Sequence, residues 1–186
     1  MLPPSPPLVV LSRKVGNFRI CFLPRHCLDQ IDVRILTILQ EDGRLTNKVL
    51  SERVNLSPRP CLERVRRLQK AGFIKRFSAV LTVEKFGDPV TIFSHISLNK
   101  QGVQVRGRFE QTVAQVEEVV ECHEVSGYAD FIARLVCPSL PFYYDLTNGW
   151  LQNEKLDVRR IETSISLRPV VAGRGLPLSV IEAVWG

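Results

Sequence analysis

From Leu28 the apolar residues fall at helical spacing, and beyond Gly87 they begin to alternate. Ile31, Ile35, Leu36 and Leu39 make one face of a first helix, which Asp29 can cap and Gly43 ends. Thr46 caps a shorter second helix carrying Val49, Leu50 and Val54. Asn55-Leu56-Ser57 then predicts a tight turn, with Asn55 in the left-handed conformation that often requires glycine. A third helix starts at the Ser57 cap with Pro58 in its first position, where a missing N–H costs nothing. Pro60 is tolerated in the same turn because first-turn amides have no acceptor inside the helix. Cys61, Val65 and Leu68, widened by Leu62, form its apolar stripe, and Gly72 closes it.

Residues 73–83 read as extended chain, a short wing and a linker strand, and the break at Gly87-Asp88-Pro89 marks a domain boundary. Beyond it the pattern predicts a strand over 90–98, a helix over 103–116, strands over 119–125 and 131–136, a helix over 142–151 and a strand over 158–167. The order β-α-β-β-α-β is ferredoxin-like. The expected division is an extension over 1–27, a winged helix-turn-helix over 28–77, a linker strand over 78–89, a ferredoxin-like domain over 90–170 and a tail over 171–186. The proline-rich opening predicts a flexible extension rather than a signal peptide, because its apolar run is short and its basic residues follow that run. The tail, with Leu176-Pro177-Leu178 and Trp185, reads either as a segment packing on a neighbouring subunit or as one without order.

Charge sharpens this division. Lys and Arg outnumber Asp and Glu by 11 to 6 over residues 28–76, whereas acidic residues lead by 13 to 10 over 77–186. A basic module joined to a mildly acidic one suits a nucleic-acid reader with a second function. Arg59, Arg64, Arg66 and Arg67 lie on or beside the third helix, away from its apolar stripe, and guanidinium groups can fork onto guanine edges or clamp phosphate. The bland alternative is a solvated face with pairs such as Glu63–Arg67. The five cysteines form no CxxC pair, which suggests a reducing, cytoplasmic setting, and no apolar run is long enough for a membrane helix. Cys122, His123 and Cys137 do not make a metal site, because adjacent strand residues face opposite ways, and no phosphate loop or nucleophile elbow occurs. No cofactor or metal is expected.

The stretch LSPRPCLERVRRLQKAGFIK, preceded by LDQIDVRILTILQEDGRLTNKVLSERV, closely resembles the Lrp/AsnC, or feast/famine, family of prokaryotic regulators. ECHEVSGYADFIARL resembles, more loosely, that family's strand–loop–strand around its effector site. The resemblance implies a winged helix-turn-helix joined to a ferredoxin-like effector domain, binding double-stranded DNA and responding to an amino acid or related metabolite. It also implies homodimers that assemble into tetramers or octamers. By position, Ser57, Arg59, Pro60, Arg64 and Arg67 are the groove-reading set, with phosphate contacts from Lys48 and Arg66. Ser126, Gly127, Tyr128 and Asp130 form the effector loop, with Thr163 as a further contact. The family's usual first acidic residue in this loop is Tyr128 here, leaving Asp130 to pair with an α-ammonium group. One rival reading is a sirohaem-type tetrapyrrole decarboxylase, which would need a basic or histidine-lined cavity where this half is net acidic. Another is an architectural protein that coats DNA without an effector.

Overall fold

The computed structural model describes residues 28–99, 102–171, 173 and 175–185. The expected extension over 1–27 lies outside them. The chain divides into two compact units, one comprising the residues up to Ser78 together with those from Gly175 on, the other Ala79–Arg174.

In the first unit three helices, α1 (Gln30–Glu41), α2 (Asn47–Arg53) and α3 (Pro58–Lys70), enclose a core of Ile35, Leu50, Val54, Cys61 and Leu68. Burial pushes the Cys61 thiol up, so it packs as a small neutral apolar group. Asp29 caps α1 in a reciprocal box: its carboxylate accepts from the Asp32 amide at 2.8 Å, and the Asp32 carboxylate accepts from the Asp29 amide at 3.2 Å. Thr46 caps α2 through its side chain, whereas Ser57 starts α3 by backbone conformation alone, with Pro58 in the first turn. Asn55 adopts φ 55° between α2 and α3, and the Leu56 amide bonds back to Ser51 O at 2.9 Å.

Two local expectations change. The first helix stops at Glu41, and Gly43 serves a different end: a Cβ there would stand 3.1 Å from the Phe77 ring. Residues 73–82 form no strand, and Val83–Phe86 is a short 3-10 helix, so the expected linker strand is not a strand among the described residues. A strand needs a hydrogen-bonded neighbour, and among the described residues none lies alongside. The tail is also ordered. Helix α6 (Leu178–Trp185) packs on α1, Ile181 is buried, and the Gln40 side chain accepts from Leu176 N at 2.7 Å while donating to Leu176 O at 3.2 Å.

The second unit contains β1 (Val90–Leu98), α4 (Val103–Val113), β2 (Val119–Glu124), β3 (Phe131–Cys137), α5 (Leu140–Gln152) and β4 (Val158–Ile165). Its antiparallel sheet has the order β2-β3-β1-β4, as a ferredoxin-like βαββαβ chain requires. Ile92, Ile96, Phe131, Ala133 and Leu135 face the core with Phe109 of α4 and Tyr143 and Trp150 of α5. The alternate residues Phe93, His95, Ile132 and Arg134 lie on the opposite face. Helix α5 begins at Leu140, where Ser139 caps it.

The Asn55 turn gives a first prediction. Asn55→Ala should lower the unfolding free energy by about 1 kcal/mol, while Asn55→Gly should hold it near wild type. Urea denaturation followed by circular dichroism reads the difference.

Candidate nucleic-acid interface and effector loop

Helix α3 has two chemically distinct sides. Its inward side buries Cys61 and Leu68 and half-buries Val65. On the outward side Arg59, Leu62, Arg66 and Lys70 follow at i, i+3, i+7 and i+11, and all four are exposed. The Arg59 side chain is 91 % exposed and pairs only with Glu63, one turn along, at 3.5 Å. Lys70 was not among the sequence candidates, although its place on the Arg59–Arg66 stripe could have found it. Lys48 on α2 is exposed, as are Ser57 and Pro60 at the start of α3. Asn47 ties the two helix starts together by donating to Pro58 O at 2.7 Å.

The expectation that Arg64 and Arg67 both reach into a duplex meets a competing partner inside the protein. Arg64 Nη1 donates to Asp29 Oδ2 at 2.5 Å and to Asp32 Oδ1 at 2.9 Å, and Arg67 Nη2 donates to Asp32 Oδ2 at 2.5 Å. Asp32 is 1 % exposed, Arg64 25 % and Arg67 56 %. Pulling both arginines away would leave a buried carboxylate without a cation, which costs several kcal/mol. Arg64 is therefore committed to α1, while Arg67 keeps other donors of its fork free on its exposed side.

The loop over 126–130, expected from the sequence to bind the effector, joins β2 to β3. Gly127 sits at φ 130°, where a side chain would be strained. The Tyr128 ring stacks on His95 with centroids 5.4 Å apart, and its hydroxyl meets His95 Nδ1 at 2.5 Å. Among the described residues, the amides of Gly127 and Tyr128 donate to no protein acceptor.

Two of the expected effector residues have partners within the protein. Asp130 is occupied: Oδ2 accepts from the Leu98 amide at 2.9 Å and Oδ1 from Arg106 Nη2 at 3.1 Å, while Arg106 also pairs with Glu124. This carboxylate braces the loop against β1 and α4. Thr163 pairs in register with Ser94 and takes part in a chain in which the Tyr143 hydroxyl lies 2.9 Å from Ser94 Oγ and 2.7 Å from Thr163 Oγ1. It therefore lies on the helix-covered face, across the sheet from the Tyr128–His95 stack. Ser126 is exposed beside Gly127.

Comparison with known proteins agrees with this division. Residues 28–75 match the winged helix-turn-helix DNA-binding model, and residues 91–176 match the Lrp/AsnC ligand binding domain. The leucine-responsive regulatory protein of Escherichia coli strain K12 is 43 % identical over 123 residues, covering 66 % of this chain and 75 % of that protein. The chain belongs to the Lrp/AsnC family. An AsnC family transcriptional regulator from Agrobacterium tumefaciens superposes on this Lrp/AsnC chain with a TM-score of 0.76 at 30 % identity, covering 83 % of this chain and 99 % of that one. A transcriptional regulator from Neisseria meningitidis, solved as a complex with L-Met, gives a TM-score of 0.76 at 31 % identity with the same coverage. This Lrp/AsnC protein is a DNA-binding transcriptional regulator with a ligand-binding domain. No helix among its described residues is long and apolar enough to cross a membrane.

Two predictions follow from the ion pairs. Burial pushes the Asp29 carboxyl up, but the hydrogen bonds from Arg64 and from the Asp32 amide, with the Arg64 charge, outweigh this and hold it below its ordinary 3.8. The stabilisation from this group is complete above about pH 4 and is lost as pH falls through the lowered value. Thermal unfolding followed from pH 6 down to pH 2 should show that loss, and Asp29→Asn should flatten part of it. For the loop, Asp130→Ala should lower stability by about 1–3 kcal/mol, because the Leu98 amide and Arg106 lose their acceptor. Unfolding midpoints measured without effector should already show the change.

Proposed function

We propose that α3 enters the major groove of duplex DNA with Arg59, Leu62, Arg66 and Lys70 foremost. Ser57 and Pro60 bring its N-terminal turn close to the base edges, while Lys48 and the free donors of Arg67 reach phosphate. Arg64 holds the helix rather than reading sequence. The observation that carries this reading is the division of α3 itself, whose inward side is sealed by the core and whose outward stripe is cationic.

The small molecule is an amino acid or a related metabolite, bound at the 126–130 loop. The free amides beside Gly127 suit its carboxylate, and the Tyr128 ring, resting on His95, supplies a wall for its side chain. Support for this ligand class comes from the L-Met complex of the similar Neisseria meningitidis regulator. The protein acts as a homodimer that builds tetramers or octamers, through the sheet face that neither α4 nor α5 covers. On that face Phe93 is 38 % exposed. The protein works in the cytoplasm and catalyses no reaction. A tetrapyrrole is disfavoured, because the cavity of ≈ 360 Å³ beside β2 has Glu110, Glu121 and Glu124 among its lining residues and no basic or histidine side chain to hold a polycarboxylate.

Arg66→Ala should cost about 1–3 kcal/mol against a specific duplex if the guanidinium reads a base, and Arg59→Ala and Lys70→Ala should each reduce the salt slope by about one. Unchanged affinity in all three would remove α3 from the groove. A thermal-shift screen of the twenty amino acids, with oligomer mass measured for any hit, tests the effector. A stabilising amino acid whose effect disappears in Tyr128→Ala supports the loop; a hit that Tyr128→Ala leaves intact moves the site elsewhere.

A further inference from the structure

The Arg64 and Arg67 pairs have a geometry that ordinary helix packing does not need. Two carboxylates at Asp29 and Asp32, three residues apart, meet two guanidinium groups at Arg64 and Arg67, also three residues apart. Arg64 spans both carboxylates and Arg67 takes the second oxygen of Asp32, so directional contacts tie down the axial position and the roll of α3 against α1. The apolar contacts beneath set neither so strictly. Cys61 and Leu68 are slippery neighbours for Ile35, and hydrophobic attraction has no direction. Carboxylate–guanidinium hydrogen bonds are directional.

We infer that Asp29 and Asp32 are positioning residues for sequence recognition: through Arg64 and Arg67 they fix the roll and depth of α3, and with them the aim of Arg59 and Arg66, without touching DNA. The inference rests on the reading that α3 enters the groove. A reading helix must hold its side chains to within about 0.5 Å and 10–20° of the productive geometry. The capping box fits this use, since it anchors both carboxylates to the first turn of α1 before they engage the arginines.

Electrostatics separates positioning from simple charge. Removing an acidic side chain from a DNA-binding unit should, by Coulomb attraction alone, tighten binding to a polyanion of any sequence. Positioning predicts weaker binding to the selected sequence only. The test uses the full chain and two probes, a duplex that the wild-type protein selects from a random pool and a scrambled version of it, at two salt concentrations. Asp32→Asn keeps shape and removes the charge. Asp29→Asn keeps a competent cap, because asparagine caps as well as aspartate, and releases only the half-exposed pair to Arg64. Glu41→Gln, at the far end of α1, is the charge control.

The expected result is at least a tenfold rise in Kd for the selected duplex with Asp32→Asn, a smaller rise with Asp29→Asn, and no rise for the scrambled duplex with either. Glu41→Gln should leave the ratio of the two affinities unchanged. If Asp32→Asn does not fold, Asp29→Asn decides. Variants that bind both duplexes as well as or better than wild type, in an unchanged ratio, overturn the inference. A wild-type protein that selects no sequence from the pool fails the groove reading instead, and the two failures are therefore distinct.

Discussion

One buried charge governs the DNA-binding unit. Asp32 is sealed in the first turn of α1, and an ionised carboxylate in that position must be matched by cations held close to it. Arg64 and Arg67 provide the match, and in doing so they choose which residues of α3 remain outside. The cost of separating them makes α1 and α3 behave as one rigid piece. The basic side chains that are left, Arg59, Arg66 and Lys70, are solvated, long and aligned, as contact with a polyanion requires. Not every arginine of this helix is a reader. Arg64 is held by Asp29 and Asp32, and Arg67 by Asp32.

The ligand-binding unit uses charge in a similar way. Asp130 is tied to the Leu98 amide and to Arg106, so the loop after β2 is held at one end by an ion pair and eased at the other by the positive φ of Gly127. Tyr128, standing where an acidic residue is more usual in the family, rests on His95 and replaces a charge with a ring. That change shifts the loop's chemistry from ion pairing towards stacking and backbone hydrogen bonds. The sheet's other face carries Phe93, which is exposed, and Ile132, which is half-buried.

Much of this was legible in the sequence, because the signals were local. The caps at Asp29 and Thr46, Pro58 in the first turn of α3 and the left-handed Asn55 depend on neighbours within four residues, and the alternation in β1 and β3 depends only on the strand itself. The partners of Arg64 and Arg67 were not local, since Asp32 lies 32 and 35 residues away. One signal was present: Asp32 stands three residues before Ile35 and four before Leu36, on the apolar face of its own helix, where a charge demands a buried partner. The face on which Thr163 lies was not legible, because an exposed strand residue read without its register could belong to either. The linker strand was not legible, because pairing is a property of whatever lies alongside and not of the residues: 73–82 find no ladder partner among the described residues, and Val83–Phe86 turn into a 3-10 helix.

The most direct measurement is nuclear magnetic resonance of the arginine side-chain N–H groups in the wild-type protein, titrated with a selected duplex. The account predicts that the Arg59 and Arg66 signals move on binding, while the Arg64 signal keeps its position and its slow exchange with water, since its partners remain Asp29 and Asp32. A large shift at Arg64, with Arg59 and Arg66 unmoved, would contradict it.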